Sequence, residues 1–240
     1  MNEAFEQIMG WMPALLEASW MTLRITVISV SLGIVLAVFL ALGKISKNSV
    51  ISSICRAYIF FFRGTPLMMQ LFFIYFALPL MHPILTIPDR FTAAVIAFTL
   101  NIAAYIAEII RAAIQSIDKG QMEASKALGL SYTQAMRLVI IPQAYRRMVP
   151  PICNEFVMVL KDTSIVFVIG LMDLTSQARK IQSSNATALV FIPAMIIYLL
   201  MTGILTTVFN RLEKKLSVYE NDSDSNQHKL QMKAVPRHKR

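Results

Sequence analysis

Long apolar blocks with almost no charged residues constrain the fold of this sequence more than any other feature. Of its 240 residues, 56% are hydrophobic and only 15% are charged, whereas a soluble domain carries about 25% charged residues. The apolar residues form unbroken runs and do not recur with the period of a half-buried helix or strand. Runs of about 20 apolar residues are long enough to cross a membrane as helices. The sequence therefore predicts an all-α membrane protein.

Five such runs predict five transmembrane helices. They cover approximately residues 20–43, 57–80, 91–113, 151–172 and 187–210. We expect these helices to form one membrane domain over residues 1–219. The remaining segment, 220–240, is polar and has almost no apolar residues to bury, so we expect a disordered tail.

Positively charged residues predict the orientation of the helices, because cytoplasmic loops are enriched in Lys and Arg. The connections that follow the first and third spans are rich in these residues, as is the segment after the fifth span. Only Arg179 and Lys180, between the fourth and fifth spans, oppose this pattern. We predict that the N-terminus lies outside the cytoplasmic membrane and that the C-terminus lies in the cytoplasm.

The sequence contains no recognisable catalytic or metal-binding motif. It has no GxxxxGK[ST] phosphate-binding loop, and its two cysteines are in no CxxC or Cys/His spacing. Its cations alternate with the apolar blocks and are not gathered on an aromatic-studded surface, which argues against a nucleic-acid partner. We therefore expect a non-enzymatic chain that binds no cofactor and no metal, and any ATP must be hydrolysed by a partner.

The connection between the third and fourth spans, 114–150, is long enough to fold on its own. Residues 121–128 favour a short helix that Gly129 closes in a left-handed cap. Ser131 is placed to cap a second helix, which Pro142 is expected to end. Two helices joined at a glycine make a rigid knob that can transmit force from a soluble partner. The alternative is an amphipathic hairpin that rests on the membrane surface.

The loop 114–150 resembles the EAA signature of ABC importer permeases, which combines an E-A-A run, a glycine and a later I-x-L-P run. The matching residues are Glu123, Ala124, Ser125, Gly129, Ile140, Ile141 and Pro142. Ser125 replaces the second alanine of the signature, and Ile141 replaces its leucine. Both replacements conserve size or apolarity.

Further runs resemble the branch of this family that takes up polar amino acids such as histidine, glutamine, glutamate and arginine. They are 63–66, 70–73, 104–111, 142–144, 154–156 and 161–164. The whole resemblance extends over about residues 15–216. It implies the type I ABC importer permease fold, with five transmembrane helices and a cytoplasmic coupling helix.

The resemblance also implies partners and roles for particular residues. Two permease subunits, of the same or related chains, would combine with two ABC ATPase subunits and an extracytoplasmic amino-acid-binding protein in the bacterial inner membrane. Glu123, Ala124 and Gly129 would contact the ATPase, which would bind ATP and Mg²⁺. Closure of the ATPase pair would then drive alternating access for a polar amino acid.

Glu155 and Asp162 are predicted to bind substrate. They are seven residues apart, so a helix places them within about 20° of the same face and roughly 10 Å apart along its axis. Ionisable residues at membrane depth normally face a water-filled cavity or a partner. Two carboxylates there would suit an ammonium group and a second cation, which favours histidine, lysine, arginine or ornithine, with glutamine, glutamate and cystine as alternatives. The alternative is structural pairing with Lys161, Arg63 or Arg111.

Other polar residues in the spans leave two interpretations open. Thr22, one turn before Thr26, is a candidate to hydrogen-bond a substrate carboxylate, although helical threonines more often bond to their own backbone. Glu108 and Arg111 are predicted to form a structural ion pair. The run 63–66 predicts either a broken helix or the start of one.

Two other functional classes fit the sequence less well. A membrane enzyme that used Glu155 and Asp162 as acid and base would need a nearby histidine, nucleophile or metal ligand, and the sequence places none there. A channel or a stand-alone carrier would have no need of the long loop 114–150. Carriers also often contain internal repeats, which we do not find here.

Overall fold

The computed structural model describes residues 2–234, with side chains for residues 5–215. Its helices are α1 (Asn2–Lys44), α2 (Ser49–Gly64), α3 (Leu67–Phe72), α4 (Leu78–Met81), α5 (Arg90–Gln115), α6 (Lys119–Ala127), α7 (Tyr132–Ala135), α8 (Ile141–Asp162), α9 (Leu174–Asn185) and α10 (Phe191–Ala234). π-helical turns cover Phe73–Ala77 and Met136–Ile140, and 3-10 helices cover Pro83–Leu85, Thr163–Ile169 and Ala188–Val190. No strand occurs within residues 2–234. The prediction of an all-α protein is confirmed.

Fewer than five helices in the described residues can cross a membrane by length and apolarity alone. Three segments qualify singly: Phe5–Lys44, Arg90–Gln115 and Ala188–Lys215. The helices Ser49–Gly64 and Leu67–Met81, which meet at an angle of 105°, add a fourth span if they are counted as one. The predicted number of five spans is therefore not confirmed.

The predicted fourth span, 151–172, is not a single apolar helix. α8 begins well before it, at Ile141, and ends at Asp162, and a 3-10 helix continues the chain as far as Ile169. Gly170 then adopts a left-handed conformation with φ of 71°, which ends the 3-10 helix. The charged side chains of α8 explain why composition alone does not identify it as a span.

The loop 114–150 folds into two helices, as predicted, but Pro142 does not end the second one. Ser131 and Gln134 form a capping box: the Ser131 Oγ accepts from the Gln134 N–H (3.3 Å), and Gln134 Oε1 accepts from the Ser131 N–H (2.9 Å). A π-helical turn then leads directly into α8, with Pro142 in its first turn. The wider π turn leaves room for a residue that lacks an N–H group. The second loop helix therefore continues into the bundle.

α1 and α5 run parallel at the centre of the bundle. Gly33 of α1 faces Ile102 of α5, and the Ser29 Oγ donates to the carbonyl of Val95 (3.5 Å). α5 contributes a set of small buried residues: Ala93, Ala94, Ala97, Ala103, Ala104 and Ala107. Small residues permit the close packing that holds helices together in lipid, where apolar burial adds little.

A second apolar cluster joins the N-terminal half of α1 to α9 and α10. Its buried members are Leu15, Leu174, Ala178, Ile181, Val190, Ala194 and Ile197. α10 continues past the predicted fifth span, and its helical backbone enters the predicted disordered tail, 220–240, as far as Ala234. The side chains of that tail and residues 235–240 lie outside the described residues, so its disorder stays a prediction.

We expect Gly33→Val to destabilise the bundle more than Gly203→Val. A Cβ on Gly33 would collide with the Cγ2 of Ile102, a branched and rotationally restricted side chain, whereas a Cβ on Gly203 meets no atom within 4 Å. Overpacking a filled interface costs about 1–3 kcal/mol. Thermal unfolding in detergent should therefore show a Tm several degrees lower for the Gly33 variant. Equal Tm values for the two variants would contradict this packing.

Candidate functional site

The bent pair of helices α2 and α3 forms one wall of the candidate site. α2 ends at Gly64, α3 begins at Leu67, and the chain turns by 105° between them. Thr65 is extended, as the residue before a proline usually is, and Pro66 has no N–H to donate. Of the two interpretations of this run, the broken helix is correct. The predicted span over 57–80 is therefore bent at this break.

Two buried or half-buried amides satisfy the carbonyl groups that the break leaves without helical partners. Gln70 Nε2 donates to the carbonyls of Phe62 (3.0 Å) and Thr65 (3.0 Å) and to the Thr65 Oγ1 (2.8 Å). Asn101 Nδ2, from α5, donates to the same Phe62 carbonyl (3.1 Å) and to Gln70 Oε1 (3.0 Å). Such partners are required because lipid offers none to the backbone. The amides therefore tie the break to α5.

A cavity of about 440 Å³ lies beside the break, between α2, α3, α5 and α8. Its lining residues are Arg63, Gly64, Thr65, Pro66, Leu67, Phe98, Asn101, Ile102, Tyr105, Glu155, Met158, Val159 and Asp162. The structure thus brings the predicted substrate residues Glu155 and Asp162 into one cavity. It adds Arg63, which sequence reasoning considered only as a structural partner.

α8 positions the two carboxylates of the cavity. Glu155 and Asp162 are two helical turns apart, so both line the same wall of the cavity. Glu155 is half-buried, whereas Asp162, the last residue of the helix, is more exposed. Opposite them, the guanidinium of Arg63 lies over the ring of Tyr105, with 5.3 Å from Cζ to the ring centroid. This cation–π contact orients the guanidinium. The negative charge of Asp162 and the positive charge of Arg63 both interact electrostatically with the carboxylate of Glu155.

The cavity has the chemistry to hold a zwitterion that carries an additional cation. Carboxylates bind ammonium and guanidinium groups through charge-assisted hydrogen bonds, and a guanidinium binds a carboxylate through two parallel bonds. Its volume falls within the range of small-ligand sites, about 300–1,000 Å³. Within residues 5–215, no three His, Cys, Asp or Glu side chains are grouped so that they could hold a metal ion.

Thr22, the third predicted substrate residue, does not line this cavity. It is fully buried between α1 and α9, and its Oγ1 accepts a hydrogen bond from the Leu174 N–H (3.3 Å). Thr26 Oγ1 donates to the carbonyl of Thr22 (2.8 Å), which is the backbone bonding that the sequence left open as the alternative. The structure therefore places Thr22 in a contact between helices and does not bring it to the carboxylates.

An ion-pair cluster lies where α1 and α5 end, near α6. Glu108 Oε2 pairs with Arg111 Nη2 (2.8 Å), so the predicted ion pair is confirmed, and Glu108 also pairs with Lys44 at the end of α1. Lys44 was missed because only the parallel packing of α1 and α5 brings it close. None of these three residues lines the cavity, so the cluster joins helices.

α6 exposes the residues predicted to contact an ATPase. Glu123 and Ala124 are exposed, and Gly129 follows the helix in a left-handed conformation with φ of 83°, which confirms the predicted cap. Ser125, which replaces an alanine of the signature, is buried, and its Oγ donates to the carbonyl of Gln121 (2.6 Å). The replacement therefore buries no unsatisfied hydroxyl.

Hydrogen bonds connect α6 and the end of α5 to α8. Gln143 Nε2 donates to Gln121 Oε1 on α6 (3.3 Å). Arg147 Nη1 donates to the carbonyl of Ser116 (2.7 Å) and to its Oγ (3.1 Å). The helix that carries both cavity carboxylates is therefore bonded to α6 and to the end of α5.

Sequence reasoning missed the residues that build the other side of the cavity. Gln70 and Asn101 satisfy the break, and Tyr105 supports the guanidinium. One signal was available, because amide side chains within apolar runs need partners at membrane depth. The pairing itself could not be found, since it depends on which helices meet.

Comparison with known proteins identifies relatives of this chain. Residues 33–218 match the family described as "Binding-protein-dependent transport system inner membrane component". The chain is 40% identical over 207 residues to the glutamine transport system permease protein of Escherichia coli (strain K12), covering 86% of this chain and 94% of that protein. It is 41% identical over 217 residues to the arginine transport system permease protein of Bacillus subtilis (strain 168), covering 90% and 98%.

A solved structure has the same fold. The crystal structure of an amino acid ABC transporter with histidines matches with a TM-score of 0.82 and 40% sequence identity, over 88% of this chain and 98% of that chain. The family match covers most of the present chain and includes α5, α6 and α8, which build the cavity and the exposed loop. This chain therefore belongs to the family of inner membrane components of binding-protein-dependent transport systems.

Proposed function

We propose that this chain is the permease subunit of an ATP-driven importer that moves polar, cationic L-amino acids across the cytoplasmic membrane by alternating access. The cavity in which Glu155 and Asp162 face Arg63 is the observation that carries this proposal. The relatives are named for glutamine and arginine transport, and the solved structure is of an amino acid transporter. These names agree with a site that suits an amino acid.

In the proposed complex, Arg63 receives the α-carboxylate of the substrate, and Glu155 and Asp162 receive its two cationic groups. Two carboxylates and one guanidinium give these three side chains a net charge of −1, from −2 and +1. An amino acid with net charge +1 neutralises these three charges, and the half-buried Glu155 depends most on a cationic partner. A neutral amino acid such as glutamine leaves one carboxylate without a cation and binds more weakly.

Separate ABC ATPase subunits supply the energy in this proposal. They bind ATP and Mg²⁺, and the permease itself binds no cofactor. α6 is the coupling helix, with Glu123, Ala124 and Gly129 against the ATPase, and the bonds from α6 to α8 carry its movement to the cavity. Two permease subunits, two ATPases and an extracytoplasmic amino-acid-binding protein complete the importer. The N-terminus is outside, the C-terminus is inside, and α6 is therefore cytoplasmic.

Substrate-stimulated ATP hydrolysis tests the proposed site. In nanodiscs that contain this chain with its ATPase, free lysine or arginine should stimulate hydrolysis. Glu155→Gln and Asp162→Asn should each raise the half-stimulating concentration about 10- to 100-fold, because a hydrogen bond to a charged group contributes about 1.5–3 kcal/mol. Glu17→Gln, which changes an exposed carboxylate outside the cavity, is the matched control. Assembled complexes in which the two site variants respond like this control would show that substrate binds elsewhere.

The role of Arg63 can be separated from that of the carboxylates. Arginine and its decarboxylated analogue agmatine share the guanidinium and differ in the α-carboxylate. The wild-type complex should bind arginine more tightly than agmatine, and Arg63→Gln should reduce that preference about tenfold, through lost charge-assisted bonds. Equilibrium binding of both radiolabelled compounds measures the ratio. An unchanged preference in the variant would remove Arg63 from the carboxylate subsite.

The coupling role of α6 predicts a different defect. Glu123→Arg should abolish co-purification of the ATPase, or reduce stimulated hydrolysis at least about tenfold by placing two like charges at a contact, with little change in the Tm of the permease. Glu17→Arg, the same charge change on exposed α1, is the control. If both variants retain the ATPase and full activity, α6 is not the coupling element, and the importer mechanism loses its energy input.

A further inference from the structure

Four exposed cations lie around the N-terminal end of α5, which is the end of that helix farthest from α6. Arg24 belongs to α1, Arg90 begins α5, and Arg179 and Lys180 lie on α9. Arg90 Nη1 donates to the carbonyl of Gly170 (3.2 Å), which connects α5 to the end of the 3-10 helix that follows α8. We call Arg24, Arg90, Arg179 and Lys180 the cationic rim.

Contacts with aromatic rings hold two of the rim arginines in place. The guanidinium of Arg24 lies 4.8 Å from the ring centroid of Phe91, and that of Arg179 lies 4.1 Å from the ring centroid of Phe167. Such contacts orient a guanidinium and leave its charge available. The rim is therefore assembled by the packing of α1, α5, the 3-10 helix and α9.

The rim carries positive charge that its surroundings leave largely uncompensated. None of its four cations forms an ion pair within residues 5–215. Two carboxylates are close to the rim in sequence, and both cap helices: Asp89 accepts from the Thr92 N–H (2.9 Å), and Asp173 accepts from the Ser176 N–H (2.9 Å). Asp173 is fully buried. Glu17 is exposed on α1 seven residues before Arg24, so it lies on nearly the same face of that helix. On the surface, four cations thus face two anions, Asp89 and Glu17, a balance of +2.

The rim lies above the candidate substrate cavity. Phe98, which lines the cavity, follows Arg90 by eight residues on α5, or about 12 Å along the helix axis. On the other side, Asp162 of the cavity leads through the short 3-10 helix to Gly170, whose carbonyl binds Arg90. A molecule that rests on the rim therefore lies close to the cavity.

A shallow depression adjoins the rim between the 3-10 helix and α9. It has a volume of about 280 Å³ and is lined by Phe167, Gly170, Met172, Ser176, Arg179, Lys180 and Ser183. Two cations, two hydroxyl groups and exposed apolar surface in one concavity suit the insertion of an acidic side chain from a partner.

We infer that the cationic rim and its depression form the docking surface for an acidic patch on the extracytoplasmic amino-acid-binding protein. This inference rests on the proposed function, which puts the rim on the extracytoplasmic side of the membrane and requires a binding protein there. Arg179 and Lys180 are the two cations that oppose the orientation rule for loops. A docking role explains why they stand on this side, because opposite charges steer a soluble partner and select it.

Anionic lipid headgroups are the other chemistry that exposed cations bind. The position of the rim favours a protein. Arg90 stands at the end of α5, the central helix of the bundle, and the depression opens beside it. Headgroups surround the perimeter of a membrane protein, whereas a soluble protein covers its end.

The test uses a purified amino-acid-binding protein that stimulates ATP hydrolysis by the wild-type complex in nanodiscs of zwitterionic lipid. The double variant Arg179→Gln/Lys180→Gln should raise the concentration of binding protein that gives half-maximal stimulation about tenfold. Basal and maximal hydrolysis should stay unchanged. Charge reversal, Arg179→Glu/Lys180→Glu, should raise that concentration further. Salt at about 0.5 M should remove most of the difference, because exposed charges are then screened within a few ångströms.

The matched control, Arg211→Gln/Lys215→Gln, removes two exposed cations at the other end of the bundle and should leave the half-stimulating concentration at its wild-type value. Rim variants that also match wild type would overturn the docking surface and leave the importer standing. A rim effect that occurs only with anionic lipid in the nanodiscs would assign the rim to headgroups and overturn protein docking. If no amino-acid-binding protein stimulates the wild-type complex, the proposed function fails, and the docking surface fails with it.

Discussion

A break in a helix at membrane depth must be hydrogen-bonded by the protein itself, and the rest of the site depends on how this chain meets that requirement. Gln70 and Asn101 share the carbonyl of Phe62 and bond to each other, so the break cannot shift without α5. The 105° turn that they stabilise opens the space that becomes the cavity and leaves Arg63 at its wall. Gln70, which does not line the cavity, and Asn101, which does, thus fix the position of the helix that carries Arg63.

Sequence features that act within a few residues predicted the local structure well. Gly129 and Ser131 each have a conformation or hydrogen bond that neighbouring residues specify, and both caps are present. Pro142 was wrongly predicted to end a helix, because the proline ring clashes with the preceding turn of a regular α-helix. In this chain a π turn precedes Pro142, and the helix continues. The Gly and Pro of 63–66 marked a possible break in 57–80, but the angle of 105° could not be predicted, because it depends on how α3 packs against the rest of the bundle.

The site was predictable only in part, for a related physical reason. Glu155 and Asp162 share a helix, so their spacing and the energetic cost of charge at membrane depth were enough to associate them. The sequence could not show whether Arg63 or Thr22 lines the cavity, because the surroundings of each side chain depend on which helix lies opposite it. Arg63 meets α8 across the cavity, whereas Thr22 meets the start of α9. Contacts between helices are set by the packing of the whole bundle and not by the period of any one segment.

α8 joins the elements that an importer must coordinate. Its first turns are hydrogen-bonded to α6 and to the end of α5 through Gln143 and Arg147, its later turns carry the two carboxylates, and the 3-10 helix beyond it ends beside the cationic rim. Pro150 and Pro151 lie between the first two of these regions. Each proline lacks the N–H that a helix interior needs, so this segment is the place where α8 bends at the lowest energetic cost. Under the proposed function, a displacement of α6 reorients the carboxylates relative to Arg63, which contacts α5 through the ring of Tyr105. The same proposal implies that the affinity of the cavity for a substrate changes when the two walls separate, without any change in the residues that line it.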